Sequence, residues 1–322
     1  MGAALASGGK GLIDENQDNR SISEYYSELF AYAPAILNEA NKNGNPYERF
    51  KLSIKFAFSI LHSMALQDVI QKKPITPLLG ETYEGLFLMP DGNVNIFMES
   101  VYSSKPHQIK DLLTGEVKAT IRPDQETTYI HIEGPKQQYQ IFGNLTYNQS
   151  FKGNNMMISL LGTLAVKFKD VEGNDQTIKI QLPDYVLANY IHVEGKPRVA
   201  LISGTMVLED EKNALKSVIF VRGLIKKKSL FQTSYEPNVM TPQEMKTKPP
   251  HERLIQGIIY KLSGKAGASK PHKGEAIEKP EQVRDVDFQY AEVSGAAIDR
   301  PVIQNVSYSN WAGVHFADPI PQ

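Results

Sequence analysis

Two lysines, Lys72 and Lys73, stand immediately before Pro74-Ile75-Thr76-Pro77-Leu78-Leu79-Gly80-Glu81-Thr82-Tyr83-Glu84. Two prolines three residues apart fix φ and bar a helix from continuing, so the run must be extended or turned. Gly80 allows a tight bend or a close backbone approach. Positive charge is thereby held at a defined place on a stiff segment, which suits an anion such as a lipid phosphate. A plain helix-to-sheet connector with solvated lysines fits the same residues. Enzyme chemistry finds no comparable foothold. The seven histidines, at 62, 107, 131, 192, 251, 272 and 315, have no metal-ligand spacing. Glu81 and Glu84 are close in sequence, but nothing sets them across a substrate as acid and base. Neither a Gly-rich phosphate loop nor a nucleophile elbow is present. The chain reads as a non-enzyme with no catalytic residues, no metal and no cofactor.

The elements that must hold these residues come in two blocks. From 22 to 41, Tyr25, Leu29, Tyr32, Ile36 and Leu37 recur at helical spacing, with Pro34 as a break or kink. Asn43-Gly44-Asn45 stops that segment. Asn45 is placed to cap a second helix, with Pro46 at its first position and Glu48 reaching back. That helix runs from 46 to about 67, and its stripe of Phe50, Ile54, Ala57, Leu61 and Met64 reads as core. Beyond residue 83 the period becomes two. Strands are predicted at 83–89, 93–101, 116–122, 127–132, 139–144, 156–169, 177–182, 188–193, 199–208, 215–221, 253–262, 288–294 and 302–307. So many consecutive strands without helices between them call for an antiparallel meander, most economically closed as a barrel. A barrel of that size can enclose an apolar ligand.

Composition narrows the function further. The chain has 322 residues, 41% of them hydrophobic, which supports a substantial core in one large domain. A net charge of -1 argues against nucleic acid as a partner. The absence of cysteine excludes disulfides and thiolate sites and favours a cytoplasmic chain. No run reaches the ~18 apolar residues of a membrane span, and the N-terminus lacks a signal-peptide core.

Lys73-Pro74-x-x-Pro77-Leu78-Leu79-Gly80-Glu81-Thr82 resembles the Lys-Pro-Phe-Asn-Pro-Leu-Leu-Gly-Glu-Thr motif of the oxysterol-binding-protein-related lipid-transfer family, in its short single-domain form. Ile75 and Thr76 depart from it. One strand later, Glu99-Ser100-Val101-Tyr102-Ser103-Ser104-Lys105-Pro106 stands where that family has Glu-Gln-Val-Ser-His-His-Pro-Pro. Glu99, Val101 and Pro106 fit, while Ser103 and Ser104 replace the paired histidines that bind the phosphate of phosphatidylinositol 4-phosphate. Serines still donate hydrogen bonds but carry no charge, and charge-assisted bonds are about twice as strong. The family's C-terminal basic helical region has no evident counterpart.

The resemblance implies a mainly β fold with N-terminal helices and a large antiparallel β-barrel around an apolar tunnel. Residues 1–20 form a mobile segment, and 21–322 form one domain with helices in 22–70 and the barrel in 83–320. Its ligand is a sterol or phospholipid. Lys73, Lys72, Thr76, Ser103 and Ser104 face the headgroup. Pro74, Pro77, Leu78, Leu79, Gly80, Glu81 and Glu99 shape the motifs. Arg222, Lys226, Lys227 and Lys228 suit a peripheral contact with an anionic membrane, and a solvated strand end explains them equally. Two polar excursions, 231–252 and 263–285, read as solvated or partner-bound loops, and in the second case they would dock protein partners. The expected function is lipid binding and intracellular transfer; the alternative is an adaptor that kept the fold and lost exchange chemistry.

Overall fold

The chain opens with a strand, β1 (Gln17–Ser21), and three helices, α1 (Ile22–Ser27), α2 (Ala33–Lys42) and α3 (Pro46–Ile70). The computed structural model describes residues 17–70, 73–123, 125–152, 155–169, 175–188, 190, 199–228, 233–238, 241–249, 255–261, 282–286, 303–309 and 315–316. Ser21 caps α1 by accepting the Glu24 N–H. The single helix expected over 22–41 is instead α1, a 3₁₀ turn at Glu28–Phe30, and α2. Pro34 lies in the first turn of α2, where its missing N–H has no intrahelical partner to lose. Asn45 caps α3 as expected, accepting the Tyr47 N–H at 2.9 Å. Glu48 does not complete the box; it pairs with Lys51 at 2.7 Å.

The remaining elements are β2 (Lys73–Ile75), β3 (Thr82–Phe87), β4 (Val94–Tyr102), β5 (His107–Lys110), β6 (Val117–Ile121), β7 (Glu126–Glu133), β8 (Tyr139–Lys152), β9 (Asn155–Phe168), β10 (Gln176–Gln181) and β11 (Tyr185–Ala188). They continue as β12 (Val199–Asp210), β13 (Leu215–Arg222), β14 (Leu224–Lys228), β15 (Thr233–Pro237), α4 (Pro242–Thr247), β16 (Ile255–Lys261), β17 (Gln282–Val286), β18 (Ile303–Ser309) and β19 (His315–Phe316). Thirteen strands form one antiparallel sheet in the order β17-β16-β13-β12-β10-β9-β8-β7-β4-β3-β18-β19, with β11 sharing the lane of β10 between β9 and β12. The chain is mainly β, with helices α1–α3 ahead of the main sheet as the patterning predicts and the short α4 set among the later strands. Among the described residues no pairing joins β17 to β19, so the ladders define a large sheet without a closing seam.

Alternation gives that sheet two faces. The inner one carries Phe87, Ile96, Ile132 and Ile141, all buried in the same core as Leu37, Phe50 and Ile54 of the helices. Helix α3 lies along β12 and β10, and Arg49 places its guanidinium 5.6 Å from the Phe168 ring. At the start of α3, Gln176 donates both to the Pro46 carbonyl and to the buried Asp210, tying helix to sheet.

Several expectations change. Residues 17–20, assigned to a mobile segment, belong to β1, which pairs in parallel with β2. The strand expected at 116–122 is not part of the main sheet. β5 and β6 form their own two-stranded sheet, a hairpin inserted between β4 and β7. The excursion 231–252 contains β15 and α4, the latter held by a complete capping box between Thr241 and Glu244. Strand 139–144 runs on to Lys152. The expected strand at 288–294 and most of 263–285 lie outside the described residues.

Candidate functional site

One end of the sheet gathers the sequence motifs. There β3 begins, β4 ends, β7 begins, and the β8–β9 hairpin has its tip. Leu78-Leu79-Gly80-Glu81 make a tight turn: the Glu81 N–H donates to the Leu78 carbonyl at 2.9 Å, and the Glu81 side chain accepts the Leu78 N–H at 3.0 Å. Gly80 has φ 75°, the conformation that a type II turn requires at its third position. Closing the turn this way buries Pro77 and turns Leu78 and Leu79 outward, 62% and 55% exposed. The turn is pinned to β4: the Gly80 N–H donates to the Ser100 carbonyl at 2.7 Å, and the Ser100 N–H to the Glu81 carbonyl at 2.9 Å. Thr82 then pairs with Glu99. The two motifs, some twenty residues apart in sequence, are thus adjacent ladder partners.

Inward from this rim, the facing pairs of β4 and β7 change character. Tyr102 opposes Glu126, Ser100 opposes Thr128, Met98 opposes Ile130, and Ile96 opposes Ile132. Tyr102 is exposed and Glu126 half-buried, whereas the other three pairs are buried. A face grading from ionisable and hydroxyl groups to hydrocarbon is chemically matched to an amphipathic ligand. Burial, and after it the negative charge of Glu81, pushes the Glu126 carboxyl above the usual carboxylate range, against the opposing influence of the Ser100 hydroxyl. Deeper in, the Tyr83 phenol is pushed up to about 12 by burial, with a hydrogen bond from the Ser27 side chain opposing it.

The residues expected to hold a headgroup are placed unevenly. Lys73 and Pro74 lie in β2, in register with β1; the side chains of both, and Lys72 altogether, are outside the described residues. Thr76 is exposed at the start of the turn. Ser103 spends its hydroxyl inside its own loop, donating to the Lys105 carbonyl, and Ser104 is exposed. Arg222 ends β13 bonded to Gln256 at 3.1 Å and 5.6 Å above the Phe220 ring, so its charge is engaged on the sheet. Lys226, Lys227 and Lys228 lie on β14, in the hairpin with β15. Glu126 belongs to no motif, and Ser100 stands inside the second one at a position given no role there; only the β4–β7 register brings the two onto the same inner face. No helix among the described residues is long and apolar enough to cross a membrane, and no group of three or more candidate metal ligands occurs among them.

Comparison with known proteins agrees with the motifs. The family model described as oxysterol-binding protein matches residues 16–241. Oxysterol-binding protein 9 of Dictyostelium discoideum is 28% identical over 196 residues, 61% of this chain and 38% of that protein. Oxysterol-binding protein-related protein 8 of Homo sapiens is 23% identical over 188 residues, 58% of this chain and 17% of that protein. The crystal structure of the Osh1 ORD domain in complex with cholesterol superposes with a TM-score of 0.53 at 17% identity, covering 91% of this chain and 58% of that one. The chain therefore spans well under two thirds of the length of these relatives.

Proposed function

The chain belongs to the oxysterol-binding protein family, and we propose that it binds a lipid head-outward against the inner face of its sheet and carries it between membranes. The observation that carries this reading is the graded row from Glu126 and Ser100 at the rim to Ile96 and Ile132 inside. A lipid tail gains ~25 cal/mol for each Å² removed from water, while one or two polar groups fix its head.

A sterol is the favoured cargo. Its single hydroxyl matches the neutral and acidic groups at the rim, Ser100 and a carboxyl driven towards its protonated form. The Osh1 domain, which shares the fold, was crystallised with cholesterol. A phosphoinositide head is less well served: Ser103 and Ser104 replace the paired histidines, and Ser103 is already bonded within its loop. Lys73, with Lys72 beside it and Thr76 two residues past Pro74, is the remaining place for a phosphate. Lys226, Lys227 and Lys228 on the β14–β15 hairpin are assigned to membrane contact, from a cytoplasmic protein.

Native purification followed by mass spectrometry of bound lipid tests the reading, with uptake of a fluorescent sterol from vesicles alongside. A stoichiometric sterol supports it. Loss of only phosphorylated lipids in Lys73→Ala would assign that lysine to a phosphate. No bound lipid together with stable protein partners would overturn it and leave an adaptor, docked through the excursions 231–252 and 263–285.

A further inference from the structure

β4 ends at Tyr102 and β7 begins at Glu126, and these two residues are ladder partners. A tight turn would suffice to join such neighbours. Residues 103–125 instead build the β5–β6 hairpin, whose strands belong to no other sheet. The main sheet takes up its β5 arm: Gln181 bonds the Lys110 carbonyl and the Leu112 N–H, and Lys216 bonds the Leu112 carbonyl. The far side of β6 has no ladder partner among the described residues. Glu116, Val117, Lys118, Thr120 and Arg122 are all exposed there. Lys118 is exposed as a residue although its side chain, which reaches Asp184 at 3.9 Å, is only 24% so, which leaves its backbone open to solvent. An open strand edge offers unpaired N–H and C=O groups to another chain.

The sequence of that edge is complementary to itself. Two copies laid antiparallel about a two-fold axis through Ala119 set Lys118 against the partner's Thr120, Val117 against the partner's Ile121 and Glu116 against the partner's Arg122. Apolar side chains then meet apolar ones, and opposite charges meet at both ends. The neighbouring registers are worse. An axis through Lys118 brings two lysines together, and one through Thr120 sets Lys118 against the partner's Arg122. β6 also bulges at Lys118, since Ile109 faces Ala119 while Lys110 faces Val117. A bulge and a lysine blunt an edge against indiscriminate addition. What they leave is a short strand with one favourable register.

We propose that β6 is a dimerisation edge, which pairs antiparallel about Ala119 with β6 of a second copy of this chain. A two-fold interface closes on itself, so it yields a dimer and not a fibre. One short strand pair buries far less than the ~1,600 Å² of a standard interface, so the dimer is weak and forms with rising concentration. It forms over the outer face of the sheet and does not depend on the lipid reading.

The chain has no cysteine, so one introduced thiol reports one contact. Opposed Cα atoms of an antiparallel pair are ~4.5–5.5 Å apart, within the reach of a disulfide. Ala119→Cys should therefore oxidise to a covalent dimer. Leu88→Cys, at an exposed residue (42%) following β3, should stay monomeric under the same oxidant. Sedimentation velocity of the unmodified full chain should show a mass that climbs towards twice the monomer as concentration rises. Glu116→Arg and Arg122→Glu should each weaken that association about tenfold, because each sets like charges together at both ends of the pair. The double variant Glu116→Arg/Arg122→Glu should restore it. A monomer at every concentration into the millimolar range, a Leu88→Cys that cross-links as readily as Ala119→Cys, or a double variant as weak as the single ones would each overturn the proposal.

Discussion

Two hairpins leave the same end of the sheet and finish in opposite circumstances. β5–β6 folds back over the outer face. There Gln181, almost fully buried, donates to the Lys110 carbonyl at 3.0 Å and accepts the Leu112 N–H at 3.1 Å, as a neighbouring strand would. Lys216 adds a bond to the Leu112 carbonyl. Val207 and Val218, the next residues across the sheet from Gln181 on that face, are buried but lie outside the principal core, a small second apolar layer. β8–β9 runs on instead: past Leu145 β8 pairs with β9 alone among the described residues, and the Thr146 hydroxyl still meets that of Thr127 on β7 at 2.7 Å. β11 flanks β9 as far as Met156, and the Phe151 ring near the tip is exposed. Both hairpins pair locally with ease. What separates them is whether the main sheet offers side chains that complete the hairpin's backbone hydrogen bonds.

The contrast can be tested in order of expected effect. Gly162→Ala should be the most damaging, on the order of 3 kcal/mol, because it combines a positive φ with a collision against a backbone carbonyl that cannot move aside. Denaturant unfolding measures it, and a loss below about 1 kcal/mol would mean the strands are not held at that close approach. Gln181→Leu should cost about 1–3 kcal/mol by leaving the Lys110 carbonyl and the Leu112 N–H unpaired. Hydrogen exchange gives a sharper signature: the Leu112 amide should exchange faster while β8–β9 amides do not change.

Glu126→Gln should act through pH. The carboxyl's pKa is raised on folding, so its contribution is fully present below the unfolded value and is lost as pH rises through the folded one. The variant should therefore raise Tm slightly at neutral pH, by roughly 1–2 °C for a half-exposed group, and leave it unchanged in acid. A variant less stable at neutral pH would show that the ionised form is favoured in place. Phe151→Ser should do least to stability, within about 0.5 kcal/mol, because the residue stays 61% exposed in the fold. A larger loss would show that the ring's contact with Tyr190 carries packing energy.

Local features were legible in the sequence because their causes are local. Asn45 before Pro46 offers an N-cap and a preset first helical residue, and Pro74, Pro77 and Gly80 bar a helix and leave the run extended or turned. β8 extends past the predicted 139–144 because Asn148-Gln149-Ser150 interrupts the apolar alternation that marks a half-buried strand. Those residues still form strand, exposed on both faces, since the backbone ladder to β9 holds them. Nothing local distinguished 116–122 from the strands around it, because a strand's partner is a long-range choice. Gln181 lies within a predicted strand and Glu126 just before one, and nothing local marks either for the same reason.

By itself, then, the sequence determined that helices come first and a strand meander follows, that the run from Pro74 to Gly80 leaves the helix, and the family to which its motifs belong. These follow from dihedral limits, side-chain period and residue identity, which need no distant neighbour. The tertiary structure alone decided that Glu81 meets Ser100, that Glu126 faces the rim, that β5–β6 lies down on the main sheet and that β8 continues past the end of β7. Each of those depends on register and on which surfaces remain for burial once the sheet has formed, and one residue of slip would send every side chain to the other face.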